Sequence, residues 1–162
     1  IIKGSFTMKR FISVCLAIML LLAYSSVAFA VEAPPVDQIA SNLTGDSGEW
    51  FNPLRSSGFA INYTSYSFQK SSSTSIFAAG RTETNQTADS VRVLITVQQW
   101  KNNCWNNYSA TSNRAYDSTV CSHSKTITVA SGYYYRIRVT HSATLDGTVV
   151  STRSYSKSVM VN

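Results

Sequence analysis

The chain is predicted to be all-β, an antiparallel β-sandwich or small barrel of about seven strands. Three observations carry this expectation. From residue 58 onward the sequence is rich in Ser, Thr, Val, Tyr and Ile and sparse in charge, the composition of pleated, half-buried surfaces. Apolar residues there alternate with period 2 between turn signals spaced about ten residues apart. No amphipathic helical period follows residue 57.

The elements follow in order. Phe59, Ile61 and Tyr63 share one face of a first strand, whereas Tyr66 and Phe68 have the opposite parity. A bulge or bend is therefore expected near Thr64-Ser65. Residues 70–75 make a serine-rich turn. Residues 75–84 form a second strand, with Ile76, Ala78 and Gly80 alternating against Phe77, Ala79 and Arg81. A turn is expected at 85–89. Residues 90–101 give the clearest strand: Val91, Val93, Ile95 and Val97 point one way, Arg92, Thr96 and Gln98 the other. Asn102-Asn103 ends it, 104–110 begins another strand, and 113–119 reads as a polar loop. Residues 121–130 place Ile127 and Val129 on one face, and Ser131-Gly132 turns tightly. Next comes YYYRIRVTH, residues 133–141. Tyr133, Tyr135, Ile137, Val139 and His141 form its inward row; Tyr134, Arg136, Arg138 and Thr140 form its outward row. Asp146-Gly147 is a hairpin turn, followed by strands at 148–153 and 155–161.

The upstream region reads differently. Residues 8–30, MKRFISVCLAIMLLLAYSSVAFA, have a positive start at Lys9-Arg10, an apolar stretch and a small-x-small end at Ala28-Phe29-Ala30. These are the parts of a cleaved signal peptide. Residues 1–7 read as a translated leader, since Lys3-Gly4-Ser5 can be encoded by a purine-rich run like a bacterial ribosome-binding site. Residues 31–57 hold all three prolines and a polar run, and are expected to be a flexible arm with Trp50, Phe51 and Leu54 docking on the domain. The β-domain is then 58–162.

Removing residues 1–30 leaves 132, enough for one domain with a single core. Lys3, Lys9 and Arg10 leave with them, so 11 basic residues face 8 acidic ones and the net charge is +3. That is weak attraction to anionic walls or lipids, and no basic stripe is visible that would indicate nucleic acid. No second apolar stretch is long enough to span a membrane. Cys104 and Cys121 remain as an even pair in an exported chain, for which a disulfide is the expectation. It would close a loop of about 18 residues and contribute about 3 kcal/mol in the chain-entropy model.

No catalytic motif stands out. There is no G-x-S-x-G, no H-E-x-x-H, no glycine-rich phosphate loop and no closely spaced carboxylate pair. The chain is expected not to be an enzyme and to need no cofactor or metal. The best binding candidates are Tyr134, Arg136 and Arg138, joined by Arg92 if its strand lies alongside. Arginine offers planar donors to carboxylates and phosphates, and tyrosine stacks. The competing reading is a solvated face whose arginine stems cover apolar surface. His141, ending the inward row, is either a hydrogen-bonded strand-end histidine or a ligand contact. Trp100, Trp105 and Tyr108 are either an aromatic platform for carbohydrate or packing around the disulfide.

Residues 91–100 and 134–141, a V-x-V-x-Q-like strand before a Y-Y-R-V-x-x-x-H-like strand, resemble a family of short secreted proteins from Gram-positive bacteria, a domain of unknown function. The resemblance covers roughly residues 58–162. It implies a signal peptide followed by a single domain, and it carries no activity and no site residues. Separately, His141-Ser142-Ala143-Thr144 resembles lactococcin-type secreted bacteriocins, which are small β-sandwiches. The expected function is a non-catalytic binding or structural component of the cell envelope or spore surface, with anionic wall polymer or another envelope protein as partner. The alternative is a secreted bacteriocin-like antagonist or toxin.

Overall fold

In the computed structural model, residues 32–41, 44–51 and 58–162 are described. A 3-10 turn at Val36–Gln38 precedes seven strands: β1 (Gly45–Phe51), β2 (Ile61–Ser72), β3 (Ser75–Lys101), β4 (Cys104–Thr128), β5 (Tyr133–Leu145), β6 (Thr148–Tyr155) and β7 (Val159–Val161). Every strand pair is antiparallel. The path of the sheet is β1-β2-β3-β5-β6, with β4 along the other edge of β3 and β7 beside β5. The all-β expectation holds, and the architecture is one curled seven-stranded antiparallel sheet, a half-barrel. Residues 8–30, read from the sequence as a signal peptide, and residues 1–7, read as a leader, lie outside the described residues.

The frame is a long hairpin. β3 has 27 residues and β4 has 25. They are joined by Asn102 and Asn103 at φ 55° and 57°. Both lie in the left-handed region that a type I′ turn requires, and asparagine tolerates it better than most residues. Asp146 (φ 48°) and Gly147 (φ 76°) make the equivalent turn between β5 and β6.

The turn expected at 85–89 and the loop expected at 113–119 are both corrected: β3 and β4 run through these regions as continuous strands. What happens there is a bend. β3 takes five steps from Glu83 to Ala88 while β4 takes two from Val120 to Ser118. The odd excess flips the parity of β3. Ile76, Ala78, Thr82 and Thr84 are buried before the bend, and Val91, Val93, Ile95 and Val97 after it. One side of the sheet therefore stays inside although the strand turns over.

The bend brings the two halves of β3 face to face. β2 flanks the first half and β5 the second. A Cβ built on Gly80 would lie 2.9 Å from the Cγ1 atoms of both Val93 and Val139, so only glycine lets the layers approach this closely. Phe68, Ile76, Ile95, Tyr135, Ile137 and Val139 fill the space between them without exposure. Each such aliphatic or aromatic side chain contributes about 1.5–3 kcal/mol of burial. The inward row expected on β5 is buried at Tyr135, Ile137, Val139 and His141.

Two further expectations change. The parity break in β2 lies between Ile61 and Tyr63, not at Thr64-Ser65, so Ile61, Thr64 and Phe68 are the buried positions. The proposed flexible arm includes an ordered strand: β1 pairs residue by residue with β2 from Gly45↔Gln69 to Phe51↔Tyr63. Ile39 also bridges Ser158, and Ala40 joins the core. Trp50 and Phe51 stay exposed instead of docking, and Leu54 lies outside the described residues. A short polar segment has little intrinsic strand preference, but the free edge of β2 supplies partners for its backbone.

Candidate functional site

The outer face of the second layer is built from register. Arg114, Arg92, Ser142 and Ser151 form one transverse row across β4, β3, β5 and β6. Ser112, Leu94, Thr140 and Arg153 form the next, then Ala110, Thr96, Arg138 and Tyr155. Asn107, Gln98 and Arg136 follow. Five arginines thus share one face, and none of the eight acidic residues of the chain stands in these rows. The structure brings Arg92, Arg136 and Arg138 together as the sequence suggested, with Tyr134 on the same outward parity and opposite Met160 of β7.

Arg114 and Arg153 were not legible as members. Arg114 falls in the stretch that reads as a loop, and Arg153 joins only through the β5–β6 register. Their register enlarges the three-arginine patch expected from the sequence to five.

The guanidinium of Arg136 is held in place. Its Nε donates to Gln98 Oε1 at 2.9 Å, and its Cζ lies 4.4 Å from the centroid of Trp105 and 5.2 Å from that of Tyr155. Burial pushes its pKa down from the ordinary arginine value, and it remains charged at any physiological pH. Arg138 Nε is buried without a hydrogen-bond partner. Arg92 makes only a long 3.5 Å contact to Ser112 Oγ. Among the described residues, none of these five arginines forms an ion pair, the one such pair being Arg81–Glu83 at 2.7 Å.

His141 sits inside. Its Nδ1 is 2.7 Å from Thr82 Oγ1 on the facing half of β3, and its Nε2 is 3.3 Å from Ser154 Oγ. Burial lowers its pKa to about 4. Two hydroxyls and no carboxylate surround it, so nothing stabilises an imidazolium and the group is a poor general base near neutrality. Its geometry is that of a polar tie between layers, and it does not join the arginine face.

Cys104 and Cys121 are both free, the first exposed and the second buried. The expected disulfide is corrected, for a simple reason. Both cysteines lie on β4, opposite Lys101 and Thr82 of β3. At about 3.3 Å per residue, the 17 steps between them measure roughly 55 Å along the strand, far beyond disulfide reach. Reducing agent is expected to leave the thermal midpoint of the monomer unchanged. A fall of more than about 5 °C, the effect of losing a crosslink in a domain of this size, would contradict the geometry. No cluster of three or more metal-ligating side chains occurs among the described residues.

Of the two readings of Trp100, Trp105 and Tyr108, packing describes the two tryptophans, without a disulfide between Cys104 and Cys121. Trp100 is only 9% exposed, and its ring meets Trp105 edge-on with centroids 5.1 Å apart. Trp105 Nε1 donates to Gln38 Oε1 at 2.8 Å. Two concave regions lie elsewhere. A broad depression of about 630 Å³ covers the outer face of β1–β4, floored by Ser47, Ser67, Ala79 and Ser124 in one register row. A groove of about 410 Å³ lies between β1 and β6, lined by Trp50, Tyr66, Arg153, Ser154 and Tyr155 among others. Beside it Asp46 Oδ2 accepts from Tyr66 Oη at 2.9 Å and from Lys157 N at 2.8 Å, closing the seam at one end. Burial, then this hydrogen bond to Asp46, pushes the Tyr66 phenol up to about 12.

Fold and face together define an all-β half-barrel with an acid-free arginine surface. No protein-family model matches the chain, and a search of curated proteins finds no match either. Among the described residues, no helix is long and apolar enough to cross a membrane.

Proposed function

We propose that this is a secreted, non-catalytic binding component of a bacterial cell envelope or spore surface, and that its arginine face takes an anionic wall polymer. The supporting observation is the set of register rows that gathers Arg92, Arg114, Arg136, Arg138 and Arg153 without an acidic residue among them. Such a face attracts a polyanion and offers planar donors to its phosphates or carboxylates. The sequence features of a signal peptide at residues 8–30 favour a wall polymer over nucleic acid. The likeness to short secreted Gram-positive proteins points the same way.

The test is co-sedimentation with purified wall sacculi at low and moderate salt, with duplex DNA as a competitor. Binding should fall steeply with salt. The Arg136→Gln/Arg138→Gln and Arg92→Gln/Arg153→Gln variants should each lose about five- to tenfold in retention, the effect of about 1 kcal/mol. No sedimentation at low salt would refute the reading. Preferential binding to DNA would replace the polymer. In either case growth inhibition of related strains, the test of a bacteriocin-like antagonist, becomes the next assay.

A further inference from the structure

A second site lies where the half-barrel fails to close. Among the described residues β1 pairs with β2 alone and β6 with β5 alone, so each presents an edge to the groove between them. Unpaired backbone donors and acceptors along such edges are ready to meet a polar ligand. Trp50 and Tyr155 line the groove from β1 and β6 and are 48% and 46% exposed, although the Tyr155 ring also packs under Arg136. Glu49 and Arg153 line it too, and among the described residues neither forms an ion pair or hydrogen bond with the other. Ser154 lines it as well.

The chemistry differs from that of the arginine face. One carboxylate and one guanidinium leave the groove formally neutral, so a polyanion gains nothing there. Two aromatic rings favour a ligand with flat apolar faces, and the polar lining favours one with hydroxyls at its rim. A pyranose has both. An acetamido substituent would add one N–H donor for Glu49 and one carbonyl acceptor for Arg153, each a charge-assisted hydrogen bond. We propose that the seam groove binds an N-acetylhexosamine unit of a glycan, stacked against Trp50 and Tyr155. The groove borders the arginine face and shares Arg153 and Tyr155 with it, but sugar binding there does not depend on that face binding a polymer.

The experiment is calorimetric titration of the full chain with the N-acetylglucosamine tetramer, followed in parallel by tryptophan fluorescence. Cellotetraose, which lacks the acetamido groups, is the comparison ligand. Saturable binding with a Kd of about 0.1–1 mM is expected, and at least about fivefold weaker binding of cellotetraose. Trp50→Ala and Tyr155→Ala should each raise the Kd about tenfold while keeping the native thermal midpoint. Arg92→Ala/Arg114→Ala should leave it unchanged. If one aromatic variant does not fold, the other carries the comparison. Absence of heat and of a fluorescence change up to about 10 mM sugar would overturn the proposal. So would equal affinity for cellotetraose, or binding indifferent to both aromatic substitutions. Wall sedimentation lost in Arg92→Ala/Arg114→Ala, two arginines outside the groove lining, with sugar binding intact would distinguish the groove from the polymer-binding face.

Discussion

Acidification is expected to weaken this fold by about 3 kcal/mol between pH 6.5 and pH 4, through His141 alone. The imidazole is fully buried and its pKa is held at about 4, against 6.5 in the unfolded chain. The unfolded state therefore binds the proton first. Stability contributed by the neutral ring is complete above pH 6.5 and is lost progressively as pH falls toward 4. Below that, folded and unfolded states are both protonated and the loss levels off. Denaturant midpoints measured across this window should be compared with those of His141→Gln, which keeps hydrogen-bonding capacity toward Thr82 and Ser154 but does not titrate. The variant should show a flatter profile. Parallel profiles would mean that His141 is not the buried, neutral group described.

Gly80→Ala should cost about 1–3 kcal/mol even though alanine ordinarily favours a strand over glycine. The new Cβ would sit 2.9 Å from Val93 and Val139 Cγ1 atoms, inside a core with no room to yield. Val93→Ala removes one of those atoms and costs stability on its own. The double variant should be less destabilised than the sum of the singles, by about 1 kcal/mol of coupling. Additivity within a few tenths of a kcal/mol would mean that the two halves of β3 do not face one another at this point.

Both expectations rest on contacts that no stretch of sequence displays. Thr82 and His141 are 59 positions apart, and they meet because β3 bends between Glu83 and Ala88. Residues 85–89 and 113–119 are polar and read alone as a turn and a loop. Residues 113–116 continue β4 because they pair with Ser90–Val93 of β3, and residues 84–87 form the irregularity between Glu83↔Val120 and Ala88↔Ser118, so the ladder carries both segments whatever their side chains prefer.

The candidate site was legible in part for the same reason. Alternation on one strand is local, so Arg136 and Arg138 could be placed on a common face with Tyr134, opposite the row that ends at His141. The companions Arg114 and Arg153 belong to other strands, and strand neighbours are set by register. The aromatic walls of the seam groove were hidden too, since Trp50 lies in a segment without periodic pattern and Tyr155 ends a short edge strand.

By itself the sequence determined what repeats every two residues or sits in a two-residue turn. That includes the all-β class, the buried row of β5, the valine face of the second half of β3, and the turns at Asn102-Asn103 and Asp146-Gly147. Side-chain parity and left-handed turn preference are properties of neighbouring residues, and they survive without knowledge of the whole. Only the tertiary structure decided that one strand serves both layers and that five arginines converge. It alone put the two cysteines on one continuous strand, 17 residues apart. Each of these depends on which strand edges meet, and that is settled by how the curled sheet closes its core.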